Sequence, residues 1–474
     1  MVNSVSRLES REYQNFIVNR IKELVSKNNS VILELDCGMG KRVLSYRLLT
    51  EVFGNKKIVF FLQTHSSLQE TLHYLTNEYG GVNGLGVIRS GLDKNYRKHL
   101  LENNRVILTL PIVFLNTIKA FPELAGMFEI AIINEVDEII RRFSHRNVLC
   151  VPWNKLIPSL TNTLFIGMSG TLRDDHLVLD ESQLQLRKEL STISEFIPNS
   201  TLITIEELVG TDLRDYIKYS EVHILPVKDS RTEEIILKLT ALIDETKEEI
   251  MHTVREFSPQ DFQKLQQNFF QQLPFLSIET ELVEKFNRLL LLRKYVYSMP
   301  ANTYRNYLMR YGFEKNELQD LPPISGKEII VIKMAKKHNK TAVLCSFLST
   351  VNSLTKQLEK ENIRTFQVTG KVKNKNTIIN NFKETQEQSA LILSPVGERD
   401  IDIPQTDLLI VYDLVNSPKT VYQKMKRSRG GKVALLFYED TPERRKVKQV
   451  VSEIAVRYPW SLIFTNNKET ARKL

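Results

Sequence analysis

Cysteine is scarce in this chain. Cys37, Cys150 and Cys345 are its only three cysteines, they lie far apart, and none forms a CxxC pair. This spacing suggests neither a disulfide framework nor a zinc site. Long apolar runs are also absent: no segment approaches the roughly 20 apolar residues of a membrane span, and MVNSVSRLESREYQ at the start lacks the apolar core of a signal peptide. We therefore expect reduced thiols, no membrane partner and a cytoplasmic location.

An excess of acidic residues is absent as well. The 65 Lys and Arg outnumber the 56 Asp and Glu, which gives a formal net charge of +9 and a pI near 9.1. Such a balance favours an anionic partner, and nucleic acid is the commonest one for an intracellular basic protein. With 474 residues, 42% of them hydrophobic, the chain is long enough for two or three globular domains.

Short apolar runs alternate with helical patterns in two parts of the chain. In the first part they are SVILEL, KIVFFLQ, VILTLP, IAIINE and LFIGMSG, and in the second TAVLCSF, ALILSP, LLIVYD and VALLFY. Strands that are apolar on both faces and alternate with helices are typical of a parallel sheet covered by helices. The pattern predicts an α/β protein with two parallel-sheet domains.

The segment between these two parts has few strand-like runs. IILKLTALIDETKEEIMHTV and ETELVEKFNRLLLLRKYVYSM carry apolar residues at three- and four-residue spacing, as amphipathic helices do. We therefore expect a first α/β domain over residues 1–205, a mainly helical insertion over 206–326 and a second α/β domain over 327–474.

A glycine-rich turn follows the first predicted strand. ELDCGMGKRV contains Gly38, Gly40 and Lys41, and the amphipathic pattern VLSYRLLTEVF continues from it. A strand, a glycine turn and a helix N-terminus direct backbone N–H groups toward a phosphate, although a plain strand-to-helix turn with an exposed lysine has the same pattern. Phosphate loops usually place Ser or Thr after the lysine, because the hydroxyl binds Mg²⁺. Here Arg42 follows the lysine.

The strand IAIINEVDEII ends in acidic residues. In a phosphate-loop ATPase, an Asp at this place binds Mg²⁺ and a neighbouring Glu polarises the attacking water. Here Asn134 occupies the Asp position, Glu135 is intact, and Asp137 is a candidate for holding Mg²⁺ through a water molecule. Without the glycine loop, a strand that merely ends in acids would be the simpler interpretation.

Two further stretches add to this pattern. In FIGMSGTL, a predicted strand leads into Ser169, Gly170 and Thr171. The hydroxyls of Ser169 and Thr171 could link a nucleotide site to a neighbouring domain. LILSPVGERDIDIPQTDLLIVYDLVNSPKTVYQKMKRSRGGK combines strands, a glycine turn, an acid, a proline and a basic helix. The second stretch is the most specific one in the chain.

Together these segments resemble superfamily 2 helicases, and more narrowly the Hef/FANCM branch, whose archaeal members process branched DNA. The resemblance covers nearly the whole chain. REYQ, with Gln14, resembles the adenine-recognition sequence, LDCGMGK resembles motif I, INEVD stands where DEAH stands, and MSGT stands where Ser-Ala-Thr stands. QTHSSL around Thr64 and LTLP around Pro111 resemble the motifs that contact the nucleic-acid strand.

The second domain carries the later motifs of this resemblance. VGERDIDIP resembles motif V, with Gly397 and Asp402 at its nucleotide- and DNA-facing turn. YQKMKRSRGG resembles motif VI, with Gln423 and Arg427 at the polar and arginine-finger positions. The helical insertion stands where this branch carries an insert that helps recognise forks and junctions, and no nuclease domain follows motif VI in the sequence.

The resemblance implies two RecA-like domains, ATP and Mg²⁺ as cofactors, and DNA, forked or branched, as partner. In an archaeal cell it implies a nucleoid-associated location. Catalytic roles fall on Glu135, Arg427 and Gln423. The nucleotide contacts that it implies are Gln14, Gly38, Gly40, Lys41, Arg42, Asn134, Gly397 and Asp402.

Departures from the family pattern concern the chemistry of hydrolysis. Arg42 and Asn134 stand at two independent Mg²⁺ contacts, and motif VI has lysines for its first arginine and glycine. Since Mg²⁺ neutralises charge as the terminal phosphate departs, losing its ligands slows hydrolysis more than binding. We therefore expect ATP binding with impaired or absent hydrolysis, although the retained Lys41 and Glu135 also suit a working motor.

Contact with DNA does not require hydrolysis, because these domains hold a strand mainly through backbone N–H groups, hydroxyls and basic side chains at phosphates. Candidate DNA contacts are Thr64, Pro111, Lys424, Lys426 and Arg429. The basic cluster of Lys424, Lys426, Arg427, Arg429 and Lys432 suits either a phosphate-binding patch or a solvated basic helix end. In residues 293–310, interleaved arginines and tyrosines suit either stacking with phosphate contact or core tyrosines beside exposed arginines.

Three functions remain open at this point. The first is a helicase-like module that binds forked or branched DNA in repair or fork processing, as platform or partner of a structure-specific nuclease or another repair protein. The second is an active ATP-dependent DNA helicase or translocase that remodels forks. The third is an RNA-directed helicase-like protein.

Overall fold

The computed structural model of this chain divides into two compact units, Met1–Ile217 and Lys218–Leu474, called unit 1 and unit 2 below. The structure describes residues 9, 11–36, 38–140, 152–180, 183–273, 280–310, 313, 318, 321–372, 374–395, 403–414, 417–428, 430–460 and 462–465. Each unit is built around a parallel sheet of seven strands.

Unit 1 contains nine described strands. They are β1 (Ser30–Glu34), β2 (Ile58–Phe61), β3 (Leu85–Ile88), β4 (Val106–Thr109), β5 (Ile130–Asn134), β6 (Leu164–Ser169), β7 (Asp175–Asp180), β8 (Gln183–Lys188) and β9 (Ser200–Ile203). The main sheet has the order β3-β4-β2-β5-β6-β1-β9, and β7 and β8 form a separate antiparallel pair. All neighbours in the main sheet are parallel, so the carboxyl ends of its strands lie at one edge.

The described helices of unit 1 connect these strands. They are α1 (Glu12–Ser26), α2 (Lys41–Arg47), α3 (His65–His73), α4 (Lys94–Asn103), α5 (Pro111–Ala120), α6 (Trp153–Ser159), α7 (Glu189–Phe196) and α8 (Leu213–Tyr216). Short π-helical segments, Leu48–Val52 and Tyr74–Glu78, extend α2 and α3. Strands β1, β2 and β4 are buried at every position. This is why their sequences read as continuous apolar runs rather than as alternating ones.

Unit 2 contains the second sheet. Its described strands are β10 (Ser220–Val227), β11 (Lys340–Leu344), β12 (Arg364–Val368), β13 (Ser389–Leu393), β14 (Leu408–Val411), β15 (Lys432–Tyr438) and β16 (Leu462–Thr465). The order is β12-β13-β11-β14-β15-β10-β16, and all neighbours are parallel. The prediction of an α/β protein with two RecA-like parallel-sheet domains is confirmed.

The described helices of unit 2 fall into an inserted group and a sheet-covering group. They are α9 (Ser230–Phe257), α10 (Pro259–Gln272), α11 (Thr280–Ser298), α12 (Ala301–Met309), α13 (Gly326–Ala335), α14 (Leu348–Lys360), α15 (Lys375–Glu384), α16 (Pro418–Lys426) and α17 (Pro442–Arg457). Helices α9, α10 and α11 pack together through Leu239, Ile243, Phe269 and Phe286. The predicted helical character of this segment is confirmed.

The position of β10 differs from the expectation that residues 206–326 form an insertion. Its eight residues pair with β15 on one side and with β16 on the other, so β10 belongs to the second sheet. SEVHILPV contains His223 and Pro226, which weaken the apolar pattern of a buried strand. Strand pairing between distant segments therefore decides where the second sheet begins. The three-domain division stays a prediction.

Charge is distributed unevenly along the chain. Residues 228–310, which include the inserted helices, contain 12 Lys or Arg and 12 Asp or Glu, whereas residues 311–474 contain 28 and 18. The positive charge of the chain therefore comes from the second α/β region, and the inserted helices are electrically neutral overall. Among the described residues, no helix is both long enough and apolar enough to cross a membrane.

Candidate nucleotide site

The glycine loop joins β1 to α2 at the carboxyl edge of the first sheet. Gly38 has a φ of +85° and Gly40 a φ of +78°, in the left-handed region that favours glycine. Gly40 immediately precedes Lys41, the first residue of α2. A Cβ atom added at Gly40 would lie 2.5 Å from the Gln14 side-chain nitrogen, Nε2. The loop therefore needs glycine there for two reasons, backbone conformation and close packing.

Side chains of helix α1 form hydrogen bonds that stabilise the glycine loop. The Tyr13 hydroxyl donates a hydrogen bond to the Met39 carbonyl at 3.0 Å, and Gln14 Nε2 donates to the Tyr13 hydroxyl at 3.2 Å. The Asp212 carboxylate accepts bonds from the backbone N–H groups of Glu12 and Tyr13, each at 2.8 Å, and so satisfies two donors at the start of α1. Gln14 is only 1% exposed and lies against the loop, and its contact with a nucleotide stays a prediction.

Three predicted motifs meet at Glu135. The Lys41 ammonium donates to Glu135 Oε1 at 2.8 Å, and the Ser169 hydroxyl lies 3.4 Å from Glu135 Oε2. The Thr171 N–H in turn donates to Ser169 Oγ at 3.2 Å. Glu135 itself has a φ of +54°, an uncommon conformation for a residue other than glycine. The structure thus connects the loop, the end of β5 and the end of β6 through one carboxylate.

Arg42 points to the helix beyond β2. Its Nη2 lies 2.6 Å from Glu70 Oε2, and its guanidinium lies 4.5 Å from the centre of the Tyr74 ring. Both contacts hold the guanidinium at α3 and its π-helical extension. An ion pair combined with a cation–π contact is a structural role that threonine or serine could not perform.

The residues at the Mg²⁺ positions can now be compared with the needs of the ion. ATP phosphates fit the loop, because its glycines, the start of α2 and Lys41 present donors to an anion. Mg²⁺ prefers oxygen ligands, usually one or two carboxylates. Arg42 offers no oxygen, Asn134 has an amide, and Asp137 is only 2% exposed. Among the described residues, no group of three or more His, Cys, Asp or Glu could hold a metal ion. Arg42 and Asn134 therefore do not offer the hydroxyl and carboxylate oxygens that a phosphate loop usually supplies to Mg²⁺.

The predicted strand contacts of unit 1 have structural roles of their own. Thr64 precedes α3 and accepts a hydrogen bond from the Ser67 N–H at 3.2 Å, as one half of a capping box. Pro111 is the first residue of α5 and is buried. Both residues follow the carboxyl ends of their strands, at the same edge of the sheet as the glycine loop. Their contact with DNA stays a prediction.

The motif VI residues lie on α16 and just after it. Gln423 and Arg427 are partly exposed, whereas Lys424 is 3% and Lys426 is 6% exposed. Lys426 Nζ donates to the Lys218 carbonyl at 3.4 Å. The interpretation of these two lysines as a solvated helix end is therefore wrong, and their contact with DNA stays a prediction. Gly397, Asp402 and Arg429 lie outside the described residues.

The aromatic residues between 293 and 310 fall into two groups. Tyr304 is fully buried, and burial raises the pKa of Tyr297 and of Tyr304 above that of a free tyrosine. Tyr295 packs on Tyr307, with ring centres 5.2 Å apart, and Tyr307 is 37% exposed. The core-tyrosine interpretation therefore holds for Tyr304, whereas Tyr295 and Tyr297 are partly buried against the same core and Tyr307 is exposed.

Two family models match parts of this chain. A model described as "Type III restriction enzyme, res subunit" matches residues 7–174, and "Helicase conserved C-terminal domain" matches residues 326–431. The ATP-dependent DNA helicase MPH1 of Scheffersomyces stipitis is 31% identical over 115 residues, which cover 24% of this chain and 9% of that protein. MPH1 of Saccharomyces cerevisiae is 41% identical over 63 residues, 13% of this chain and 6% of that protein. The matched segments span less than a tenth of either relative.

Solved structures agree with this family. The helicase domain of Pyrococcus furiosus Hef matches with a TM-score of 0.58 at 13% identity, over 93% of this chain and 98% of that one. The chain is similar to superfamily 2 helicases of the Hef/FANCM-like branch. Saccharomyces cerevisiae Dbp5, bound to RNA and ADP BeF3, also matches this Hef-like chain, with a TM-score of 0.54 at 12% identity over 98% of this chain and 92% of that one. At these identities both structures show the fold alone.

Sequence reasoning missed one ionic network of the Hef-like chain. The Arg173 guanidinium binds both carboxylate oxygens of Glu34, at 2.6 and 2.7 Å, and the carboxylate of Glu206 at 2.6 and 2.7 Å. Burial lowers the pKa of Arg173, but the two carboxylates more than offset this, so its pKa lies above the ordinary value. Glu34 ends β1, directly before the glycine loop. In the sequence, the charged Glu34 at the end of an apolar strand was the feature that could have indicated this ionic network.

Proposed function

We propose that this chain is a helicase-like protein that binds forked or branched DNA, binds ATP with impaired or absent hydrolysis, and acts as platform or partner of a structure-specific nuclease or another repair protein. The names of the MPH1 relatives support DNA as the ligand class. Because those matches span small parts of the relatives, the activity and the partner are inferred from the site.

One observation carries the proposed loss of hydrolysis. Arg42 stands where the loop usually places a hydroxyl, and Glu70 and Tyr74 hold its guanidinium. An arginine at this position supplies no hydroxyl oxygen for Mg²⁺. Together with the amide of Asn134, it leaves the terminal phosphate without the usual neutralising metal. Each lost contact of this kind costs a few kcal/mol in the transition state, which corresponds to several powers of ten in rate for two contacts.

The charge distribution supports DNA binding through the α/β regions. The excess of Lys and Arg lies in residues 311–474, whereas residues 228–310 are neutral overall. Contacts with phosphates supply most of the salt-dependent affinity of DNA-binding proteins. We therefore expect the inserted helices to contribute junction geometry, and the second α/β region to contribute most of the affinity.

The central experiment measures Mg²⁺-dependent ATP hydrolysis with and without forked DNA, beside fork binding by fluorescence anisotropy. The Lys41→Ala variant is the control, because it removes the phosphate-binding ammonium and exposes contaminating ATPase. We expect turnover equal to that of Lys41→Ala, with fork binding intact in both proteins. Fork-stimulated turnover that vanishes in the variant would contradict the loss of hydrolysis.

Platform function needs a separate measurement. The chain is immobilised with and without forked DNA and exposed to cell extract, and captured nuclease activity is assayed on labelled forks. We expect structure-specific cleavage that depends on this chain. The absence of any captured nuclease, together with DNA affinity no greater than a salt-sensitive background, would overturn the platform role.

An active DNA translocase is the second candidate. Lys41, Glu135 and Ser169 still form a connected set of hydrogen bonds at the loop. Such a set could support slow turnover if the metal were bound through water. Fork-stimulated hydrolysis in the experiment above would favour this candidate and lead to a strand-displacement assay.

An RNA ligand is the third candidate, because the similar Dbp5 structure contains RNA. Competition between DNA and RNA forks of identical sequence, repeated over a series of salt concentrations, separates the two ligands. We expect the DNA fork to compete better at every salt concentration. Preference for the RNA fork would replace the proposed substrate.

A further inference from the structure

A basic cavity of about 380 Å³ lies between α4 and α5 of unit 1. Its walls are formed by Lys94, Arg97, Asn116, Thr117, Ala120 and Phe121. The lining thus contains two cations, one amide and one hydroxyl, and none of its residues is acidic. None of the helicase motifs of the sequence includes these residues.

Arg97 has an unsatisfied donor at this cavity. Its Nε is buried and makes no hydrogen bond. A buried donor without an acceptor costs free energy that an entering acceptor would return. Lys94 lies one helical turn before Arg97, on the same face of α4, so the two charges can act on one ligand. Within the part of the chain that the structure describes, neither residue has an acidic partner.

Neighbouring groups are already engaged, which leaves these two cations for a ligand. The Asp93 carboxylate accepts bonds from the N–H groups of Asn95 and Tyr96, so it satisfies the start of α4. Lys98 contacts carboxylate oxygens of Glu102 and Glu123 at 3.9 and 3.7 Å, and its ammonium lies 5.1 Å from the centre of the Phe121 ring. The Lys98 ammonium therefore packs over the Phe121 ring, and the nearby carboxylates of Glu102 and Glu123 are paired with Lys98.

The place of the cavity in the fold indicates the class of ligand. Helix α4 follows β3, the edge strand, and the sheet order continues through β4 to β2. Pro111 follows β4 and Thr64 follows β2, so the predicted strand contacts run along the same edge toward α4.

We propose that Lys94 and Arg97 form a phosphate-binding site for the backbone of the bound nucleic acid, one element beyond the strand contacts at Thr64 and Pro111. This inference rests on the proposed nucleic-acid binding and extends it by a further site. A cavity of this size accommodates a phosphate group with part of its sugar. Contact with the sugar-phosphate backbone of the nucleic acid increases the length of strand that the protein binds, without adding sequence preference.

The test uses the Lys94→Gln, Arg97→Gln double variant of the full chain. Its matched control is Lys22→Gln, Lys155→Gln, which removes two exposed cations from α1 and α6 of the same unit. Fork affinity is measured at a series of salt concentrations for the original chain and both variants. Thermal unfolding of all three proteins checks that the fold is retained.

We expect the double variant to lower the slope of log affinity against log salt concentration by about 0.7 to 0.9, because the two residues share one phosphate and each phosphate contact contributes about that much. The control should change the slope by less than half of that. With single-stranded DNA lengthened one nucleotide at a time, the deficit should be absent at short lengths and appear once the strand reaches α4.

Three outcomes would overturn the site in different ways. If the original chain binds forks and the double variant has the same slope, the cavity does not contact the backbone, while the proposed function stands. If the original chain itself binds no DNA or RNA, the proposed function fails first. A loss in binding of inorganic phosphate alone, with the DNA slope unchanged, would assign the cavity to a free anion.

Discussion

Lys41 donates a hydrogen bond to Glu135 across 2.8 Å, so the lysine of the glycine loop and the glutamate at the end of β5 neutralise each other. A nucleotide would have to draw the lysine away from this partner to bind its phosphates. The pair is partly buried, with side chains 14% and 35% exposed, which strengthens the attraction relative to a surface pair. The ion pair therefore connects the glycine loop to the end of β5.

Restoring both altered metal positions should restore hydrolysis. We expect Arg42→Thr together with Asn134→Asp to raise fork-stimulated ATP hydrolysis at least tenfold, because Mg²⁺ needs both oxygen ligands. Either change alone should do less. The measurement is steady-state phosphate release, with Lys41→Ala added to the double variant as background. No gain from the double change would mean that motif VI limits the reaction.

Gly40 should tolerate a side chain less well than Gly38. Gly40→Ala introduces a Cβ 2.5 Å from Gln14 Nε2 as well as a strained φ, whereas Gly38→Ala meets nothing within 4 Å and adds only the strained φ. That strain costs about 1–2 kcal/mol in each variant. We expect lower thermal stability and weaker nucleotide binding for Gly40→Ala than for Gly38→Ala.

The Gln14→Ala background provides the control for this comparison. Truncating Gln14 removes the clash but leaves the strained φ, so the difference between the two glycine variants should shrink. An unchanged difference would show that the close approach of Gln14 does not determine the cost.

A buried ion pair should be essential to unit 2. Lys327 contacts Glu443 at 2.8 Å, with side chains 0% and 3% exposed, and its ammonium also donates to the Tyr297 carbonyl at 3.2 Å. Removing one partner leaves a buried charge uncompensated, so Lys327→Met should lower the free energy of unfolding by about 3–5 kcal/mol.

The exposed pair of Lys336 and Glu361, 48% and 41% exposed, is the matched control for this prediction. Lys336→Met should cost about 0–1 kcal/mol, since exposed pairs contribute little. Urea unfolding, followed by intrinsic fluorescence, measures both variants. An equal loss of unfolding free energy in Lys327→Met and Lys336→Met would contradict an essential role for the buried ion pair.

His223 should make the second sheet sensitive to acid. Burial lowers its pKa below 6.5, and the charge of Lys432 acts in the same direction, while the carboxylate of Glu221 opposes them. As the pH falls below 6.5, the unfolded chain binds a proton on this residue before the folded chain does. Stability is therefore lost as the pH falls from 6.5 through the lower pKa of the folded state.

The variant His223→Gln should reduce this loss, because glutamine does not titrate. Thermal unfolding at pH 7.5 and at pH 5.5 measures the difference, and the change in midpoint between the two conditions should be smaller in the variant. His252, which is 72% exposed on α9, provides the control: His252→Gln should leave the pH response as it is. An identical response in all three proteins would exclude His223 as the source.

Local sequence pattern was sufficient for the framework of this protein. Continuous apolar runs identified β1, β2, β4 and β5 because both faces of a parallel sheet are buried. Three- and four-residue spacing identified the inserted helices, and the glycine turn located the loop before Lys41. Arg42 and Asn134 were recognisable as departures because motif I and the strand before Glu135 have strict residue requirements. Each of these features depends on neighbours within one turn or one strand.

Only the tertiary structure decided how distant residues share a site. Arg42 is held by Glu70, and Arg173 joins Glu34 to Glu206, although these residues are far apart in sequence. The sheet membership of β10 was likewise decided by pairing with strands more than 200 residues away. Ion pairs, burial and strand pairing arise from long-range packing, which the periodicity of a single segment does not contain. The sequence therefore determined which elements form, and the packing of those elements determined which side chains meet.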